Sequence, residues 1–160
     1  MSERVLIGVI GPGDAGDEIV RAAERLGELL AERSWVVISG GRPQGVMAAV
    51  NRGANRRGGL TVGLLPGERD RSANGVEIAI RTGLGSARNN VIALSARVLV
   101  AVGIGPGTVS EIALGIKAGT PVVVVELDDT SWQFLAKLGS DLIHRASSVE
   151  EAVEAVARLI

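Results

Sequence analysis

Cysteine is absent from this chain, which excludes disulfides and thiolate metal sites. A single histidine, His144, is too few for a His-based metal centre, and a solvated or half-buried side chain is expected there. Tyrosine is also absent and aromatic residues make up only 2% of the chain. That leaves almost no surface on which nucleic-acid bases could stack. Neither sign of charge dominates: 17 Lys and Arg against 18 Asp and Glu give a net charge of −1, with the arginines scattered. The basic stripe of a nucleic-acid binder is missing. No apolar run approaches the ~20 residues that span a bilayer. The opening "MSERVLIGVIGPG" ends its short apolar run at Gly11-Pro12 without a small-residue cleavage site, so it reads as a strand rather than a signal peptide. Neither membrane nor nucleic acid is an expected partner, and the cytoplasm is the default compartment.

What remains is aliphatic. Hydrophobic residues reach 46% and are nearly all Val, Ile, Leu and Ala, which suits parallel strands buried on both faces. The length of 160 residues fits one domain, 1–160, since domains usually run about 100–200 residues. Strand-like and helix-like runs alternate throughout. Strands are expected at Val5–Ile10, Val36–Ser39, Leu60–Leu65, Val76–Ile80 and Val98–Val102, and within "TPVVVVEL". Helices are expected over about Ala15–Arg33, Gly45–Arg57, Ser86–Ser95 and Thr108–Ala118. The segment around "TSWQFLAKL" shows no clear period. "SSVEEAVEAVARLI" reads as an amphipathic helix capped by Ser147 or Ser148 with Glu150 or Glu151. This alternation predicts an α/β fold: a doubly wound, mainly parallel sheet with helices on both faces. Ligands of such sheets bind beyond the carboxyl ends of the strands.

Four loops lie at those ends. "GPGDAG", Gly11–Gly16, follows the first strand as a dinucleotide fingerprint would, and an NAD(P)-binding regulator would rest on it alone. The second strand, however, ends in "VVISGG" without the ribose-binding acid, and Asp14, Asp17 and Glu18 would repel a pyrophosphate at the helix start. The favoured reading is a tight turn followed by helix-stabilising acids, free of phosphate. "SGGRPQGVM" offers Gly40, Gly41 and Gly45 for sharp turns or close approach, with Arg42 beside an acid-free helix start. It welcomes a phosphate or is a plain turn with a solvated arginine. In "RTGLGSARNN" a cap at Ser86 would place Arg88 in a first helical turn, where the macrodipole disfavours a cation. An anionic ligand or a neighbouring carboxylate would explain it. In "VAVGIGPGTVSEIALG", Gly103, Gly105 and Gly107 free backbone amides to converge on an anion and Thr108 adds a hydroxyl. Thr108-Val109-Ser110-Glu111 also reads as a capping box, with Glu111 bonded back to the Thr108 amide.

Taken together these loops resemble a known superfamily. "GGRPQGVM" resembles the GGGxxGxM element of the LOG proteins, and "GIGPGTVSE" their PGGxGTxxE element, with "GGLTVGLLPG" fitting between. Arg88 precedes Glu111 by the interval that separates the matching Arg and Glu of that family. The resemblance covers nearly the whole chain and implies a Rossmann-like fold. Departures set it apart: Arg42 replaces a glycine of the first motif, Gly103 and Ile104 replace Pro and Gly of the second, and Asn89 stands in place of Lys. This pattern looks more like the molybdenum-cofactor carrier proteins and the uncharacterised bacterial proteins grouped near them.

The resemblance implies two functions. The first is binding or carrying a phosphate-bearing small molecule, nucleotide or pterin. No cofactor is demanded by the residues themselves, and molybdenum cofactor would be a carried ligand. The second is LOG-type phosphoribohydrolysis, which releases the base from nucleoside 5′-monophosphates; Arg88 and Glu111 would then be the catalytic pair. In either case the expected ligand-binding residues are Gly40, Gly41, Arg42, Gly45, Gly83, Gly85, Arg88, Asn89, Gly103, Gly105, Gly107 and Thr108. Attraction to Arg88 is expected to keep Glu111 ionised. The helices Ser86–Ser95 and Thr108–Ala118 carry more apolar surface than one sheet covers, which predicts a homo-oligomer, dimer or tetramer.

Overall fold

The computed structural model describes residues 3–139 and 141–160; Met1 and Ser2, part of the charged N-terminal start read above, and Ser140 lie outside them. The described residues form seven strands and six helices: β1 (Leu6–Ile10), α1 (Asp17–Glu32), β2 (Val36–Ser39), α2 (Gly45–Arg56), β3 (Thr61–Leu65) and β4 (Ile78–Arg81) come first. Then follow α3 (Arg88–Ser95), β5 (Val98–Val102), α4 (Pro106–Ala118), β6 (Val122–Val125), α5 (Asp129–Ala136), β7 (Ile143–Arg145) and α6 (Val149–Leu159). The sheet order is β4-β3-β2-β1-β5-β6-β7 and every pairing is parallel. Strands 1 to 4 build outward in one direction, and strands 5 to 7 start again beside β1. The order therefore reverses between β1 and β5, and the crevice above that pair is where a doubly wound sheet takes its ligand.

Period-two alternation of aliphatic residues sorts the core into two layers. Val98, Val100 and Val102 face one side with Ile7, Val9 and Val37, under α1, α2 and α6. Leu99 and Ala101 face the other with Ile10, Ile38 and Leu64, under α3, α4 and α5. On the first side α1 and α2 approach until backbones touch: a Cβ on Gly53 would collide with the Glu24 carbonyl, and one on Gly27 with that of Val50. Surface arginines of α2 then reach across, Arg52 to Glu24 and Arg56 to Glu24 and Glu28.

Three strands and two helices differ instructively from the sequence reading. β4 begins at Ile78 rather than Val76, because Val76 N–H donates to the Ala73 carbonyl and Glu77 N–H to Thr61 Oγ1. Both amides are thus taken out of the ladder. β1 and β3 each start one residue later than expected. α4 starts at Pro106, with Gly105 as its N-cap. Proline is favoured at the first helical position because its missing N–H would be unpaired there anyway. This overturns the capping box expected at Thr108: the threonine lies inside the first turn, and its hydroxyl is buried without a partner. α3 is likewise uncapped by Ser86, which belongs to a short 3-10 turn, Gly85–Ala87, leading into it.

At the C-terminus the expected cap is present. Ser148 Oγ accepts from Glu151 N–H, and the Glu151 carboxylate accepts from Ser147 N–H and Oγ. Replacement Ser148→Ala should cost about 1 kcal/mol of stability, read from the shift in urea midpoint at constant slope. An unchanged midpoint would mean that the cap is not formed in solution. No helix among the described residues is long and apolar enough to cross a membrane.

Candidate ligand-binding cleft

A cavity of about 490 Å³ opens above the carboxyl ends of β1 and β5. The loop after β1 gives Gly11, Pro12, Gly13 and Asp14 to its wall, and the loop after β5 gives Ile104, Gly105, Pro106 and Gly107. The two loops abut, since a Cβ on Gly105 would lie 3.4 Å from Pro12 Cβ. The start of α2 closes one side with Gln44 and Met47, and the 3-10 turn and α3 close another with Gly85, Ser86, Arg88 and Asn89.

Of the residues singled out from the sequence, Gly40, Arg42, Gly85, Arg88, Asn89, Gly105, Gly107, Thr108 and Glu111 line this cavity. Gly41, Gly45, Gly83 and Gly103 do not, and the reason is architectural for the first two. Gly41 has φ +67° and its Cα side meets Gly63, where a Cβ would lie 2.8 Å from Gly63 Cα. Gly45 has φ +50° and packs on the Pro12–Gly13 backbone, where Val46 N–H donates to the Pro12 carbonyl at 3.1 Å. Both glycines build the wall from behind. Gly103, also left-handed at φ +72°, turns the chain away from β5 against Ile19, and Gly83 lies beside Glu68.

The sequence reading missed the contribution of the first loop. Asp14 is expected among the acids of the α1 start, but α1 begins at Asp17 with Gly16 as N-cap, and Asp14 lies in the cavity wall instead. The G-x-G at Gly11–Gly13 was the available signal. A Cβ on Gly11 would press on the Val102 carbonyl and on Val46 at 2.6 Å, so this glycine lets β1, β5 and α2 converge under the cleft.

The floor of the cavity is polar and buried. Arg88 is 7% exposed, Glu111 7% and Thr108 1%. Among the described residues, Arg88 Nε and Thr108 Oγ1 have no hydrogen-bond partner. The guanidinium passes directly over Gly40, where a Cβ would lie 2.5 Å from one terminal nitrogen and 2.9 Å from the other. Any larger residue at position 40 would displace Arg88. Gly40 stays in place through the turn behind it: Asn51 Nδ2 donates to Ser39 Oγ at 2.8 Å, and Gly41 N–H donates to the same oxygen at 3.2 Å. Asn51 and Ser39, both fully buried, were not foreseen as support for the site.

Burial governs the electrostatics. It pulls the Arg88 guanidinium below its ordinary pKa, opposed by the charge of Glu111, with nearby Arg42 adding to the fall and Asp70 opposing it. The same desolvation pushes the Glu111 carboxyl from 4.5 up to about 7, and the attraction of Arg88 offsets only part of it. The expectation that Arg88 keeps Glu111 fully ionised is therefore corrected. Near neutrality this carboxyl is poised between its two forms, because removal from water costs the charged form more than one neighbouring cation returns.

An all-parallel, doubly wound sheet with a glycine-lined cleft at its switch point defines a Rossmann-like protein. Within that class the chain belongs to the SLOG cluster4 family, whose model matches residues 4–153. It is similar to the molybdenum cofactor binding protein of the phototrophic bacterium Rippkaea orientalis, with 40% identity, TM-score 0.95 and 99% of each chain covered. The Moco carrier protein of Chlamydomonas reinhardtii matches at 43% identity and TM-score 0.93 over 98% of each chain. An uncharacterized protein of Archaeoglobus fulgidus is 45% identical over 126 residues, 75% of this chain and 83% of its own length.

Proposed function

We propose that this chain binds and carries a phosphate-bearing small molecule of the molybdenum-cofactor type, seated in the β1/β5 cleft. The observation that carries this reading is the pair of buried, unpartnered donors, Arg88 Nε and Thr108 Oγ1, beside the first turn of α4. A buried donor without an acceptor costs about 1–3 kcal/mol, and a phosphate oxygen would satisfy both. The amides at the start of α4 add the positive end of a helix that carries no acid in its first turn. Gly107, in the first turn of that helix, lines the cavity. Gly40 leaves room for the guanidinium, and Arg42 and Asn89 supply further donors at the wall. The residues present thus fit the phosphate arm of a pterin cofactor. Carrier relatives of 40% and 43% identity support the choice of cargo.

The direct test is retention. Protein loaded anaerobically with extracted molybdenum cofactor and passed over a desalting column should keep the cofactor, and should return it to an acceptor enzyme lacking it. Loss of all cofactor on the column would contradict the proposal.

A second reading rests on a specific observation: Arg88 and Glu111 share the cavity, and Glu111 titrates at about 7. That value suits a group that stabilises charge or activates water at a ribose carbon. Release of free base from nucleoside 5′-monophosphates, lost on Glu111→Gln, would establish phosphoribohydrolase activity in place of simple carriage.

We also propose that the chain self-associates. Val91 and Leu94 on α3, together with Leu84, Ile78 and Ile80, leave large aliphatic side chains exposed. Light scattering at micromolar concentration should give a dimer or tetramer, and a monomer mass would refute this.

A further inference from the structure

The cleft is not uniformly an anion site. Its floor holds Arg88, Thr108 and Glu111, all buried, whereas Asp14 and Gln44 at its mouth are exposed. A carboxylate in the wall of a phosphate-binding cavity works against the ligand unless the ligand presents N–H groups there. Asp14 has no helix-capping duty to explain it: α1 starts three residues later, under Gly16 as N-cap, and carries its own acids at Asp17 and Glu18. Gln44 is the N-cap residue of α2, yet its side chain makes no capping bond. It folds instead over the first loop, with Oε1 3.6 Å from where a Gly13 Cβ would be, in the company of the Met47 methyl at 3.9 Å. A carboxylate, a primary amide and a thioether therefore border the same end of the cavity.

We infer that this mouth reads the 2-amino-4-oxo edge shared by pterins and guanine, with Asp14 accepting from the amino group and adjacent ring N–H and the Gln44 amide donating to the ring carbonyl. The inference rests on the phosphate reading of the floor and adds the orientation of the ligand. The phosphate enters first, and the heterocycle stays at the exposed end, with Met47 against its face. A carboxylate makes this edge a charge-assisted pair, stronger than a neutral one. Discrimination comes from losing that charge-assisted pair when the amino group is missing.

Guanosine, inosine and adenosine 5′-monophosphates, titrated calorimetrically, separate the two ends. The guanosine compound should bind at least about tenfold tighter than the other two. Asp14→Ala should bring it down to the level of inosine monophosphate, while Asp17→Ala, on the helix outside the cavity, should leave the preference intact. Equal binding of all three by the wild type, no binding of the guanosine compound, or a preference that survives Asp14→Ala would overturn the inference. The phosphate floor is read separately, by whether inorganic phosphate competes with the nucleotides and whether Arg88→Ala abolishes that competition. Nucleotides bound equally yet displaced by phosphate would remove the edge-reading mouth and leave the floor standing.

Discussion

Arg88→Ala should weaken the binding of any phosphate-bearing ligand by about 10- to 100-fold, the scale of a lost charge-assisted hydrogen bond. The effect is large because the cavity's other lining cation, Arg42, does not share the buried floor. Arg42 is exposed at the wall, whereas Arg88 is 7% exposed with its Nε unpaired on the cavity floor. Arg88→Lys should recover only part of the loss, since an ammonium cannot present the planar fork that spans the space above Gly40. Stability should move the other way. Removing a buried guanidinium whose Nε is unpaired relieves a desolvation cost, and Glu111 can take up a proton when its neighbouring cation is gone, so the Ala variant should melt no lower than the wild type despite its binding defect. Equal affinity of wild type and variant for inorganic phosphate would remove Arg88 from the site.

Glu111→Gln should flatten the pH dependence of both stability and binding between pH 4.5 and 7. The folded-state pKa of about 7 lies above the ordinary 4.5, so the native state holds a proton that the unfolded chain has released. The stabilising contribution of the neutral carboxyl is fully present below 4.5 and is lost as pH rises through 7. That loss is on the order of 3–4 kcal/mol, and the Gln variant should overtake the wild type in stability at pH 8. Binding follows the same sign. A phosphate beside Glu111 is repelled by the ionised form, so wild-type affinity should fall as pH rises through about 7 while the Gln variant changes only with the titration of the ligand itself. Parallel pH profiles for the two proteins would show that Glu111 does not titrate in this range.

The architecture was legible because its signal is local and repeated. β2 and β5 have the bounds expected from their aliphatic runs, and the alternation of elements leads to a doubly wound sheet without any knowledge of contacts. The helix starts were less legible. At α4 the proline outweighed the T-x-x-E pattern, and at β4 two amides were claimed by Ala73 and Thr61, 3 and 16 residues away in sequence. Helix α5 showed no period because one turn of Asp128-capped chain, with Asp128 accepting from Ser131 N–H at 2.9 Å, starts a helix of only eight residues.

In the cleft, motif spacing pointed to Arg88, Thr108 and Glu111, and the switch point between β1 and β5 brings them together. What motif spacing does not carry is burial. The near-neutral carboxyl of Glu111, the seat that Gly40 makes for Arg88 and the support from Ser39 and Asn51 all depend on chain segments 12 to 48 residues apart meeting in space. Asp14 was misassigned for the same kind of reason: its distance from the helix start, three residues, is short in sequence and decisive in the fold.

The central claim is that the floor of the β1/β5 cleft is a phosphate seat, and a crystal structure of the protein grown with millimolar phosphate tests it most directly. A tetrahedral anion should lie within hydrogen-bond distance of Arg88 Nε, Thr108 Oγ1 and the Gly107 amide, with Gly40 against the guanidinium. An empty floor, with Arg88 Nε and the Thr108 hydroxyl bonded to protein groups and phosphate bound elsewhere, would contradict it.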